Sequence, residues 1–238
     1  MFRPLTHLKP FATLGAVAIF AAALALPAQA RPTRGDTTTI AVIGDSVAND
    51  LGRGLEDLVG NKRHVRVVKQ TRFATGLVRT DYYDWNAVLT KFLRHHRPNV
   101  ILVVIGGNDH QALRVHGRRY EPFSKGWMAE YRRRVARFMR HFKHTHAQVY
   151  WVSLPPVRSH TLTRAYRKIN AIYRREATRH GFHYLSVWKR FLSDGAYSSF
   201  GESLEGVKRR LRKQDGMHFT GAGRILFAAY VANAIGLR

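Results

Sequence analysis

Val100 to Ile105 reads VILVVI, six apolar positions in succession. A strand of that composition has to be buried on both faces, which happens where helices cover both sides of a parallel sheet. It ends in Gly106-Gly107. Four other segments read as strands: Thr38–Ile43 (TTIAVI), the weaker Val65–Val68, Val149–Leu154 (VYWVSL, stopped by Pro155-Pro156) and Tyr184–Val187. Between them lie stretches with apolar residues at helical spacing. Leu51, Leu55 and Leu58 mark one over 49–58, and Val88, Leu89 and Phe92 mark one over 85–95. Trp127, Tyr131, Val135, Phe138 and Phe142 form a stripe over 125–146, and Tyr166, Ile169 and Tyr173 another over 163–179. An apolar segment over 220–235 closes the chain. Residues 71–84 read as a loop containing Gly76, and 193–214 as irregular, rich in Gly and Ser and then basic. Five strand–helix alternations predict an α/β protein with a five-stranded parallel sheet between helical layers. There is no internal repeat and no long linker, so residues 31–238 are expected to form a single domain.

The first thirty residues stand apart from this pattern. Arg3 and Lys9 precede a run without charge, Phe11–Leu26, and then PAQA ending at Ala30. A positive start, a short apolar run and a small-x-small end predict a secretory signal peptide over 1–30. The run is shorter than the ~20 residues a membrane span needs, and no later stretch is apolar enough to span. The whole chain carries 40 Lys+Arg against 15 Asp+Glu, a formal +25, and no cysteine. Removal of 1–30 takes away only Arg3 and Lys9. In the expected periplasmic or secreted setting the available polyanions are envelope glycans, acidic polysaccharides and anionic lipid surfaces, so no nucleic-acid partner is expected. Without cysteine there are no disulfides, no thiolate metal sites and no cysteine nucleophile.

In an open parallel sheet, ligands bind beyond the carboxyl ends of the strands. After the first strand comes Gly44-Asp45-Ser46, and after the VILVVI strand Gly106-Gly107-Asn108-Asp109. Gly76 lies in the loop after the second strand, and Asp215-Gly216-Met217-His218 stands just before the last helix. These residue types suit acyl transfer. A serine hydroxyl needs a histidine to take its proton, and the histidine needs a carboxylate to fix its tautomer and stabilise its charged form. The tetrahedral oxyanion needs aimed donors, each contributing roughly 3–4 kcal/mol. The backbone amides of Ser46 and Gly76 and the side-chain amide of Asn108 would supply three.

With AVIGDSVAND, ATGL, VVIGGND and DGMHFTGAG in this order, the chain resembles the SGNH (GDSL-type) serine hydrolases over roughly 38–235. It is similar to a periplasmic branch long labelled a domain of unknown function, which has similar WVSLPP, NDHQ and DYYDW stretches. The resemblance implies a three-layer flavodoxin-like sandwich. It further implies Ser46 as nucleophile, His218 as general base, Asp215 as the orienting acid, and Ser46, Gly76 and Asn108 as the oxyanion hole. The serine is followed by Val47-Ala48-Asn49 rather than the leucine of the family's name motif, and the G-x-S-x-G elbow of α/β-hydrolases is absent.

The expected activity is hydrolysis of an acyl ester, such as an O-acetyl group, on a cell-envelope glycan. A lipid acyl hydrolase or thioesterase, or a non-catalytic polyanion-binding module, are the alternatives on the same fold. His110 and Gln111 are candidate substrate contacts, and Asp109 is expected to brace the Asn108 turn, with a substrate contact as the alternative. Asp45 is expected to bond within its own loop. Tyr82, Tyr83 and Trp85 lie between cleft and core as alternatives. No cofactor is indicated, because the stretch after Gly44 lacks the Gly-Lys-Ser/Thr of a phosphate-binding loop. No metal is expected either. His141, His144 and His146 have no carboxylate beside them and read as a solvated face. So do the basic clusters at 132–134 and 208–213, although the run over 207–213 could border the cleft and attract anionic substrate.

Overall fold

The computed structural model describes residues 37–237. The expected signal peptide over 1–30 lies outside the described residues. Among them, no helix is long and apolar enough to cross a membrane.

Five strands, β1 (Thr38–Gly44), β2 (Val65–Thr71), β3 (Val100–Val104), β6 (Gln148–Val152) and β7 (His183–Leu185), form one sheet in the order β2-β1-β3-β6-β7. Every pair in it is parallel. This is the five-stranded α/β sandwich expected from the alternation. Ile40 to Ile43 and Ile101 to Val104 have no exposed surface, because helices cover both faces of β1 and β3.

The helices are α1 (Ser46–Val59), α2 (Trp85–His96), α3 (Lys125–Arg140), α4 (His160–His180) and α5 (Gly221–Ala234). Helices α1 and α5 pack together, as do α3 and α4. Phe138 of α3 meets Trp85 of α2 edge-on, with ring centroids 6.3 Å apart, and Trp151 of β6 at 5.7 Å. The stripe Trp127–Tyr131–Val135–Phe138 is fully buried. It is a core face, as its helical period required.

Differences from the expected boundaries have local causes. Helix α1 starts at Ser46 rather than 49, because the Asp45 carboxylate accepts the Val47 N–H and caps it. Helix α3 stops at Arg140 rather than 146, and successive turns follow, one closed by the Thr145 hydroxyl on the Phe142 carbonyl. Strand β6 ends at Val152 rather than Leu154, where the Asn170 side chain takes both the N–H and the carbonyl of Leu154 and the prolines follow. Three two-stranded hairpins were not foreseen: β4 (Leu113–Val115) with β5 (Arg118–Tyr120), β8 (Leu192–Ser193) with β9 (Ala196–Tyr197), and β10 (Phe200–Glu202) with β11 (Lys208–Arg210). Their strands are two or three residues long, too short to show a period of two.

Candidate active site

Ser46 is the first residue of α1, placed by the sharp exit from β1. Gly44 has φ +143, and a side chain there would run into the Val104 carbonyl of β3. That close approach lets β1 end against β3 and turn its next residues over the sheet edge. Asp45 is fully buried. Its two oxygens accept the Val47 N–H at 3.0 Å and the Gly107 N–H at 2.8 Å, clamping the Ser46 turn to the loop after β3. Burial pushes its carboxyl up to about 7, against the pull of those two amides. The Val47 bond lies within its own loop, as expected; the bond to Gly107 reaches beyond it.

The Ser46 hydroxyl lies 2.8 Å from His218 Nε2, and His218 Nδ1 lies 2.8 Å from Asp215 Oδ2. The second Asp215 oxygen accepts the N–H groups of Met217 and His218 at 2.8 and 2.9 Å. Although its partial burial acts to raise it, the His218 ring and these two amides hold the Asp215 carboxyl down to about 2. The carboxylate therefore keeps the ring proton on Nδ1, and Nε2 accepts from the Ser46 hydroxyl.

The Asn108 turn follows Gly107, which Asp45 holds, and it is joined to the Gly76 loop. Asn108 Nδ2 donates to the Thr75 carbonyl at 2.9 Å, and its second amide hydrogen remains for a ligand. Asp109 accepts the N–H groups of Leu77 and Val78, each at 2.8 Å, and the Tyr131 hydroxyl at 2.7 Å. Tyr131 in turn meets the Tyr173 hydroxyl, which donates to the Ile105 carbonyl at 2.9 Å. Buried and with both oxygens engaged, Asp109 has nothing to offer a substrate. Asp109 thus braces the Gly76 loop against α3. His110 is exposed, and Gln111 is half-buried with its amide on the Asn108 carbonyl at 2.8 Å. Trp85 is core, Tyr83 packs edge-on against it, and Tyr82 is exposed.

Three residues that position the site were not singled out from the sequence. Asp50, one turn after Ser46 on α1, accepts the Phe219 N–H at 2.9 Å and so ties the His218 loop to the nucleophile's helix. Burial raises its carboxyl. Arg212 corrects the solvated reading of 208–213, since only Lys208–Arg210 and Lys213 are exposed. Its guanidinium is buried, lies 3.8 Å from the Phe219 ring centroid, and donates to the carbonyls of Met217 and Pro156 at 2.6 and 2.8 Å. Desolvation pulls it down to about 10. Arg134, from the 132–134 cluster, is nearly buried, pairs with Glu130 at 2.8 Å and donates to the carbonyls of Leu77 and Val78. The spacing of Ser46 and Asp50 by one helical turn was the legible signal for Asp50; a run of basic residues hides which one turns inward.

A cleft of about 570 Å³ opens between residues 78–81 and 111–114, the segments that follow Gly76 and Asn108. Arg79, Arg114 and Arg119 line it. Arg79 pairs with Asp81 and Arg119 with Glu121, while Arg114 forms no ion pair among the described residues. His141 bonds Asn86 and Thr90, and among the described residues no three His, Cys, Asp or Glu gather as a metal site.

The five-stranded parallel sheet between helical layers matches the fold of SGNH (GDSL-type) hydrolases. TesA shares it at a TM-score of 0.55 and 18% identity, over 83% of this chain and 98% of TesA. Axe2, an acetylxylan esterase from Geobacillus stearothermophilus, gives 0.58 and 16% over 86% and 96% of the two chains. A GDSL-like lipase from Bacteroides thetaiotaomicron gives 0.57 and 13% over 87% and 91%. At these identities the likeness is one of fold. Within that fold, the chain belongs to the family described as protein of unknown function (DUF459), which matches residues 39–234. No curated protein matches it.

Proposed function

We propose that the protein is a serine ester hydrolase whose nucleophile, general base and orienting acid are Ser46, His218 and Asp215. The observation that carries this is the unbroken relay of two 2.8 Å contacts from Ser46 Oγ through the His218 ring to Asp215. Ser46 Oγ attacks the ester carbonyl and passes its proton to Nε2. Asp215, ionised at any neutral pH, stabilises the imidazolium. The oxyanion is met by the N–H groups of Ser46 and Gly76 and the free Asn108 amide hydrogen, with Ser46 at the positive end of α1. His218 returns the proton to the leaving alkoxide. Water then clears the acyl-enzyme by the same route, or a sugar hydroxyl does so in a transferase.

The substrate we propose is an acyl ester, such as O-acetyl, on a glycan of the cell envelope, met in the periplasm or outside the cell after removal of 1–30. Two observations support it. The arginine-lined cleft beside Gln111 suits a polymer bearing anionic groups, and Axe2 is an acetylxylan esterase on the same fold. A fluorophosphonate should label the wild type and fail to label Ser46→Ala. A chain-length series of p-nitrophenyl esters should favour acetyl. Preference for long acyl chains would point to lipid esters, and labelling that survives Ser46→Ala would overturn the nucleophile.

A further inference from the structure

A second groove, of about 850 Å³, lies between residues 90–99 and 137–146, where α2 and α3 end and β3 and β6 begin. Ser46 and Asn108 stand at the other ends of the strands, ~17 Å away along five residues of β3. The groove is therefore separate from the site described above.

Arg94, Arg97, Arg137 and Arg140 line it, and no Asp or Glu does. Among the described residues none of the four forms an ion pair. Basic residues at a helix C-terminus often only offset its dipole. Two C-termini meet here, at roughly −0.5 charge each, so about three of the four positive charges remain uncompensated. The groove is also preformed. His141 of the α3 C-cap holds Asn86 and Thr90 of α2, with contacts of 3.0 and 3.4 Å, and pins the two walls together. Leu93 and Pro98 add apolar surface to the lining.

We propose that this groove binds a strand of acidic polysaccharide. Guanidinium groups present forked donors that match carboxylates, and an apolar lining meets the C–H faces of sugar rings. A walled groove fits a single chain better than it fits a plane of lipid head groups. The proposal concerns binding alone and stands apart from the esterase reading.

The test is calorimetric titration of the whole chain with a galacturonate decamer. The wild type should bind the decamer and not the free monosaccharide. Arg94→Glu with Arg137→Glu should weaken binding by about tenfold or more, as expected for the loss of two charge-assisted contacts. Arg97→Gln with Arg140→Gln, which removes charge without reversing it, should weaken binding in the same direction, and melting curves establish that each variant is folded. Arg53→Glu with Arg63→Glu, exposed and on or just after α1, should leave binding nearly unchanged. Equal losses from the groove and control pairs would show diffuse attraction by net charge and overturn the proposal. So would binding to phosphatidylglycerol vesicles without binding to the decamer, or no binding by the wild type.

Discussion

Gly76→Ala tests the proposed oxyanion loop most directly. A β-carbon at Gly76 would lie 2.6 Å from Asp109 Cγ and 2.9 Å from Oδ2, closer still to Oδ1, where ordinary contact begins at 3.4 Å. Something must therefore move by about 0.8 Å or more (3.4 − 2.6). Asp109 cannot swing away, because Leu77, Val78 and Tyr131 all donate to it. The Gly76 backbone has to give instead, and its N–H leaves the position aimed at the oxyanion. Loss of one such donor costs ~3–4 kcal/mol of transition-state stabilisation, roughly 10²–10³-fold in kcat. Disturbing the two amide bonds to Asp109 costs a further ~2–4 kcal/mol of stability, a fall in Tm of about 5–15 °C for a domain of this size. The assay is kcat and KM on an acetyl ester well below the variant's Tm, beside a melting curve. KM should change little. Gly221→Ala is the control: a β-carbon there meets nothing within 4 Å, so activity should be unchanged. Activity of Gly76→Ala within about threefold of wild type would refute the donor role. An unchanged Tm would refute the described brace.

Three further outcomes are expected. Asp215→Asn should keep its oxygen towards the Met217 and His218 N–H groups, which places its NH₂ against His218 Nδ1. That forces the wrong tautomer and should lower kcat by about 10⁴, with Tm little altered; a loss below tenfold would sink the orienting role. Arg212→Met should leave the Met217 and Pro156 carbonyls without a donor and remove the guanidinium stacked on Phe219, destabilising the fold by ~2–4 kcal/mol as read by urea titration. Asp45 is raised from 3.8 to about 7 by burial, so its unfolded form ionises first as pH rises. Its contribution falls between about pH 4 and 7 by about 4 kcal/mol and is flat above that. Denaturation across this range should show that slope, and Asp45→Asn should flatten it.

Much of this arrangement can be read along the chain. The alternation of apolar runs and helical stripes determined the parallel sheet, because burial on both faces leaves no polar position in VILVVI and burial on one face spaces apolar residues at 3.6. The strand ends then placed Ser46 and Asn108 on one edge, since all strands of a parallel sheet end on the same side, while the Asp215–His218 pair reaches Ser46 from the turn before α5. The hairpins of two or three residues were not legible for want of a period.

What the tertiary structure alone decided is which polar groups face inward. Asp109 stands next to Asn108 in sequence, yet its carboxylate turns away from the cleft because Leu77, Val78 and Tyr131, distant in the chain, offer it donors in a dry core. Arg212 and Arg210 look alike as letters, and only the Phe191–Phe219 cluster and two carbonyls make one a buried latch and the other a surface charge. Periodicity and strand order are local properties that burial writes directly into the sequence. The partner of a buried charge is a long-range property, settled only when the chain has closed around it.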